Sequence, residues 1–382
     1  MRHKSTLASL FGAIALGLIA TSAQADSITV GVTVSATGNG ASLGIPYKNA
    51  YAMMPKTVAG VPVRLVLLDD GSDPANATRN ARKFVTEDKV DVILGGTLSG
   101  TCMAVAEVAA ESATPQICGA PIDIPPGVFK WVFSIAQPLP IMMEAVVEHM
   151  RTNGVKTVSY IGFADSWGEN VEKALKQHLD TAGIKLLTSE RYARSDTSVQ
   201  GQVLRTIGAK PDAVVLGGAG TPGTLPQIQL VQRGYKGLVY HNHGVVNKDF
   251  IRVGGKTVEG AMAPTGPLVV AEQLPDSNPL KKTGVDFTKA YEEAYGKGTL
   301  NAFAGHGWDA VLMLQDALPK ALKNAKPGTA EFRAALREAL ENTKDLVGTH
   351  AIFNLAPNNH NGTDSRARVL VKVDNGEWVL AR

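Results

Sequence analysis

Short β-branched and apolar runs alternate with amphipathic helical patterns along almost the whole 382-residue chain, and this alternation constrains the fold more than any single motif. Ile28 to Val34, Val63 to Asp69, Val92 to Leu94, Thr157 to Gly162, Ala213 to Leu216 and Leu238 to Tyr240 read as strands. Between them, Ala77, Ala81, Phe84 and Val85 fall on one face of a helix over 76–87. Val171, Ala174, Leu175, Leu179 and Ala182 do the same over 168–182. Asp73-Pro74 and Asp165-Ser166 supply start signals for the two helices. Strands separated by helices demand parallel pairing with helices on both sheet faces, so an α/β fold of doubly wound sheets is expected.

Composition shifts at Phe133 to Pro140, Ala263 to Pro267 and Val347 to Phe353, and long helical patterns follow at 279–295, 303–323 and 329–342. Two α/β lobes that the chain crosses between more than once would explain why no single linker divides it. The expected division is 26–136 with 266–347 in one lobe, and 137–265 with 348–382 in the other.

The N-terminus reads as a cleavable secretory signal. Arg2, His3 and Lys4 precede an apolar stretch from Leu7 to Ala20, and Ala23-Gln24-Ala25 supplies small residues for cleavage before Asp26. The apolar stretch is shorter than the roughly 20 residues of a spanning helix. The remaining 357 residues favour two domains, each able to bury its own core. They carry 36 Lys plus Arg against 35 Asp plus Glu, because Arg2 and Lys4 lie in the signal. A near-neutral chain without a basic run argues against a nucleic-acid partner. Cys102 and Cys118 are too few for a disulfide scaffold. They are expected close together at the edge of adjacent strands, and the sequence leaves open whether they bond. The glycosylation-type triplets at Asn76 and Asn361 are read as incidental.

Three patterns suggest chemistry that their context does not support. Gly218-x-Gly220-x-x-Gly223 has dinucleotide-fingerprint spacing, but Pro222 and Pro226 interrupt the turn and the next strand ends in His241-Asn242 where a ribose-binding carboxylate would stand. His241-x-His243 with His306 lacks a spaced third ligand, so no metal is expected. Ser99, in Gly96-Thr97-Leu98-Ser99-Gly100, is not in a nucleophile elbow, although a serine hydrolase built from dispersed residues stays open. Ser99 lies just past a strand, before a helix starting near Thr101. A ligand-binding hydroxyl beside helix-start N–H groups and a mere helix cap are both consistent with that position.

Leu68-Asp69-Asp70-x-x-Asp73-Pro74, Val90-Asp91-Val92-Ile93-Leu94-Gly95-Gly96 and Ser99-Gly100-Thr101, in this order and spacing, resemble the periplasmic branched-chain amino-acid binding proteins, the substrate-binding subunits of ABC importers. The likeness runs from about Ile28 to Val373. It implies two doubly wound lobes joined by three crossover hinges, a ligand in the cleft, closure on binding, and no enzymatic activity or cofactor. The implied partners are a small-molecule carboxylate and the importer's permease, for a monomer in the periplasm.

The resemblance also implies a site. Ser99, with Gly100 and Thr101, matches the segment that holds the amino acid's carboxylate. Trp167 matches an aromatic that covers the ligand. Leu43 and Ala219 replace usual tyrosines, and Ala120 and Ile122 lie in a small-residue segment that here lacks its threonine. His243 stands where the family carries the glutamate that pairs with the ligand's ammonium. An ammonium buried without its partner costs about 3–5 kcal/mol. These departures imply a carboxylate without an α-amino group, such as an aromatic or oxo acid, with a branched-chain amino acid as the alternative. Asp123 would favour that alternative if it faced the cleft.

Overall fold

The computed structural model describes residues 27–381, so the expected signal segment and its cleavage site lie outside the described residues. Fifteen strands are found among those residues. They are β1 (Ile28–Val34), β2 (Thr57–Val58), β3 (Val61–Asp69), β4 (Val92–Leu94), β5 (Gln116–Cys118), β6 (Val132–Ser134), β7 (Thr157–Phe163), β8 (Lys185–Tyr192), β9 (Ala213–Gly217), β10 (Leu238–His241), β11 (Met262–Thr265), β12 (Leu346–Val347), β13 (Ile352–Phe353), β14 (Val369–Asp374) and β15 (Glu377–Leu380). One sheet has the order β2-β3-β1-β4-β5-β6 and the other β15-β14-β11-β10-β9-β7-β8. In the first, β1 pairs in parallel with β3 on one side and β4 on the other. In the second, β7 sits likewise between β8 and β9. At each place the strand order reverses. Connections then leave on opposite faces and open a crevice at the strands' carboxyl ends.

The continuous apolar runs are explained by burial on both sheet faces. Val30, Val32, Ile117 and Phe133 pack against Tyr47 and Tyr51 of the helix Ala41–Ala52, and against Val311, Leu314 and Leu318 of the helix Ala302–Leu322. In the other lobe Tyr160, Ile161, Val214 and Val215 pack with Met142, Val146, Val171 and Leu175 from the helices Leu139–Thr152 and Ser166–Ala182. None of the helices among the described residues is long and apolar enough to cross a membrane.

Two crossings fall where composition shifted. Between β6 and the helix Leu139–Thr152 the chain leaves the first sheet for the second, and after β11 it returns. The third differs from expectation. The segment Val347 to Phe353 is a hairpin of β12 and β13, and Ala351, Phe353, Leu355 and Ala367 belong to the first lobe's core. The chain enters the second sheet only with β14, so the boundary lies near Arg368 and not at 347/348. The physical reason is local. The buried Asp309 carboxylate on the helix Ala302–Leu322 accepts hydrogen bonds from Thr349 N and His350 N and ties the hairpin turn to the first lobe.

Candidate functional site

The carboxyl ends of β4 and β5 face those of β7, β9 and β10 across a narrow cavity. The first lobe contributes Leu43, Thr97, Ser99, Ala120, Phe303 and His306, and the second contributes Trp167, Arg194, Ala219, His243 and Gly244.

Ser99 opens the helix Ser99–Glu111 but does not cap it. Thr101 takes that role, its hydroxyl accepting from Leu98 N at 3.1 Å and lying 3.0 Å from Leu98 O. Ser99 Oγ instead donates to Pro121 O at 3.2 Å, which joins the loop after β4 to the loop after β5. Cys102 and Cys118 brace the same two loops from behind. They form a disulfide, with Cα atoms 5.7 Å apart, and both are fully buried.

From the second lobe, Asp165 caps the helix Ser166–Ala182 by accepting from Trp167 N and Gly168 N. The Trp167 indole packs edge-on to the His243 ring, with centroids 5.7 Å apart. Asn242 fixes His243 by donating to Gly218 O at 2.6 Å and accepting from Gly244 N at 2.7 Å. His243 is therefore no solvated loop residue. It is 4% exposed, both its ring nitrogens lack partners among the described residues, and burial pushes its pKa down to about 3. Its ring is neutral near pH 7, so attraction of an anion by an imidazolium is set aside, whereas N–H donation to an oxygen stays available.

Of the other residues singled out in the sequence, Leu43, Ala120 and Ala219 line the cavity. Gly100 is exposed and stands apart from it, and Thr101 is committed to its helix start. Ile122 faces a second, outer chamber, as does Asp123. The Asp123 side chain is 75% exposed and pairs with Lys173 of the opposite lobe at 3.0 Å, so it is not buried in the cavity as an ammonium partner would be. The glycine-rich loop after β9 is a short 3-10 turn at 221–224, not the start of a dinucleotide site. Gly220, at φ +60°, comes so near the other lobe that a Cβ there would lie 2.9 Å from Leu43 Cδ1. His241 lies away from the cavity, bonded to Gln227 and packed on Phe250, and the described residues hold no group of three or more metal-ligating side chains.

Arg194 and His306 are among the cavity residues that no sequence pattern marks as site residues. Arg194 follows β8, a strand whose half-exposed pattern hid it, so the rule that ligands bind at strand carboxyl ends was not applied there. Its Nε donates to Asp165 Oδ2 at 2.6 Å and its guanidinium lies 4.2 Å from the Phe163 ring centroid. His306 was considered only as a metal ligand, and its helix gave no sign that this turn faces the cleft. Its Nε2 lies 2.8 Å from Gln137 Oε1.

Two α/β lobes with a cavity at their facing switch points have the architecture of a two-lobed solute-binding protein. The sequence pattern of the periplasmic binding protein family matches residues 27–377, and the chain belongs to that family, with the type I fold. An extracellular ligand-binding receptor from Rhodopseudomonas palustris is 45% identical and superposes with a TM-score of 0.91, over 93% of this chain and 99% of that one. A solute-binding protein of an ABC transporter from R. palustris, solved in complex with benzoate, shares the fold at 21% identity and a TM-score of 0.78, over 93% of this chain and 95% of that one. An amino acid binding protein of Pseudomonas aeruginosa is 23% identical over 253 residues, which span 62% of this chain and 66% of that protein's own length.

Proposed function

We propose that this protein captures a small carboxylate without an α-amino group, an aromatic or oxo acid, between its lobes. One observation carries the reading. Among the described residues the cavity wall has no Asp or Glu, while Arg194 and His243 offer it N–H groups. A buried ammonium would stand there without a counter-charge, at a cost of about 3–5 kcal/mol. A carboxylate would meet a guanidinium, whose planar fork suits it. Leu43, Ala120, Ala219, Phe303 and Trp167 supply an apolar shell for a ring. The benzoate bound by the R. palustris solute-binding protein shows that the fold accommodates such a ligand.

Closure would bring the Ser99 wall onto the Trp167 and His243 wall, and the closed form would be presented to a membrane permease of an ABC importer from the periplasm. Family membership and the N-terminal secretory pattern support that setting. The hydrolase alternative finds no support, because the Ser99 hydroxyl bonds to the Pro121 carbonyl and, among the described residues, no hydrogen bond links it to a histidine. The test is calorimetry with benzoate, phenylpyruvate, leucine, isoleucine and valine. Binding of the acids above the amino acids is expected. Tight binding of a branched-chain amino acid with the acids ignored would overturn the proposal.

A further inference from the structure

We propose that the ligand carries a hydroxyl group besides its carboxylate, and that the Nδ1 lone pair of His306 accepts its hydrogen. This rests on the carboxylate reading of the same cavity and adds a second point of recognition.

The argument begins at Gln137, where the chain first crosses between lobes. Its Nε2 donates to Ala367 O at 3.1 Å, which fixes the amide orientation and turns Oε1 toward His306 Nε2 at 2.8 Å. A carbonyl oxygen only accepts, so the His306 hydrogen must sit on Nε2, and a neutral imidazole has one N–H. Nδ1 is left as a bare acceptor. It has no partner among the described residues, and His306 is 2% exposed in the cavity wall.

Among the described residues no neighbouring group gives it that hydrogen: the His243 ring alongside has an N–H of its own, but no hydrogen bond joins the two rings. The His350 ring is 4.3 Å away between centroids, but its Nε2 faces Ala302 O at 2.7 Å. It therefore has the same tautomer, and its own unpartnered Nδ1 is another acceptor. The Ser99 proton is committed to Pro121 O. Phe303 and Leu43 are apolar. Protonating His306 itself is no remedy, because burial, with His350 and His243 alongside, holds its pKa well below the ordinary value. A buried acceptor of this kind favours a partner that brings a donor and disfavours one that does not. The bare acid leaves Nδ1 unpaired, whereas a hydroxylated acid satisfies it.

The experiment combines calorimetry with ¹⁵N NMR of labelled histidine, using benzoate, 3- and 4-hydroxybenzoate, and phenol as probes. One hydroxylated isomer is expected to bind about tenfold tighter than benzoate. The His306 Nδ1 resonance should shift on its addition, and the gap should close in His306→Phe. Equal affinities, a gap that survives His306→Phe, or an Nδ1 resonance indifferent to every probe would overturn the inference. The last outcome would assign the donor to a bound water. Phenol separates the two readings. If no acid binds yet phenol shifts Nδ1, the carboxylate reading fails and the hydroxyl reading stands. If the acids bind and hydroxylation changes nothing, the reverse holds. Should His306→Phe not fold, the wild-type Nδ1 shift decides.

Discussion

Replacing Arg194 by Gln separates binding from stability in this site. The guanidinium is the one charged group on the cavity wall among the described residues, so its removal should act on a bound carboxylate first. A hydrogen bond to a charged group is worth about 1.5–3 kcal/mol. At about 1.4 kcal/mol per decade, that is a loss of roughly 10- to 150-fold in affinity for benzoate or the tightest acid found. The cost to the fold should be much smaller. The Arg194–Asp165 pair is partly open to solvent, with side chains 19% and 36% exposed, and such a pair contributes about 0–1 kcal/mol. The stacking over Phe163 adds about 0.5–1 kcal/mol. Asp165 keeps its helix-capping role through its other oxygen, which bonds Trp167 N and Gly168 N. The melting temperature should therefore fall by no more than about 2–4 °C. Calorimetry and thermal unfolding on the same preparation give both numbers. Unchanged affinity would remove Arg194 from the site, and a collapse in melting temperature would assign the binding loss to unfolding.

Four other outcomes are expected. Ser99→Ala should weaken acid binding by less than tenfold while the protein stays folded, since its hydroxyl proton is held by Pro121 O and it ties two cavity loops without capping the helix; calorimetry showing a larger loss would mean that the hydroxyl turns to the ligand. His243→Glu should move preference from acids toward amino acids, because it restores a negative charge beside the ligand; a variant that still prefers acids would show that His243 does not set the choice. The unfolded, unreduced protein should titrate with no free thiol at Cys102 or Cys118, and the double Cys→Ser variant should lose about 3 kcal/mol, given a 16-residue separation; full stability of that variant in urea would contradict it. Stability should fall as pH drops from about 6.5. Burial holds His241 and His243 near 3 and His350 near 4, from an ordinary 6.5, with His306 lowered too. The unfolded chain then takes up protons that the native one refuses. Asp309, raised to about 7, opposes this, because its native proton is lost as pH rises from 4 to 7. Burial raises Asp70 and Asp91 as well, whereas His149 and His360 join the lowered histidines, so three carboxyls stand against six histidines, and a urea midpoint that stays flat or rises from pH 6.5 to 4.5 would refute the net sign.

Much of the fold was legible because it is written in periods. Ile28 to Val34 and Val92 to Leu94 are buried on both faces and so carry no charge, with only Thr29 and Thr33 polar, and their observed bounds match the sequence reading. The helix pattern at 168–182 is one-sided because one face meets the sheet. β8 was missed because it is an edge strand, half exposed, and its mixed pattern resembles a loop. The third crossing was misplaced because a hairpin and a hinge share the same small, β-branched composition, and only the Asp309 hydrogen bonds decide between them. The resemblance marked Ser99, Trp167 and His243, which the structure places on the wall of the candidate cavity. Arg194 and His306 were not legible, because their role comes from lobes meeting in space, which no local period encodes.

The meeting of the lobes explains why substitutions at separate points in the chain act together. Leu43 and Ala219 face the same cavity from opposite lobes, and Gly220 lies against Leu43, so a change of size at any of the three is felt by both walls. A larger residue at 220 would press on Leu43 and hold the lobes apart. Asp123 and Lys173 reach across the outer chamber, but both are largely exposed, and such a pair is worth too little to hold the lobes closed unaided. The weight of closure then falls on contacts made only when both walls touch one ligand. A carboxylate at Arg194 engages the second lobe, and a donor to His306 engages the first. A ligand with both groups favours the closed form more than either group does separately, because only differential contacts between the two forms can shift their populations.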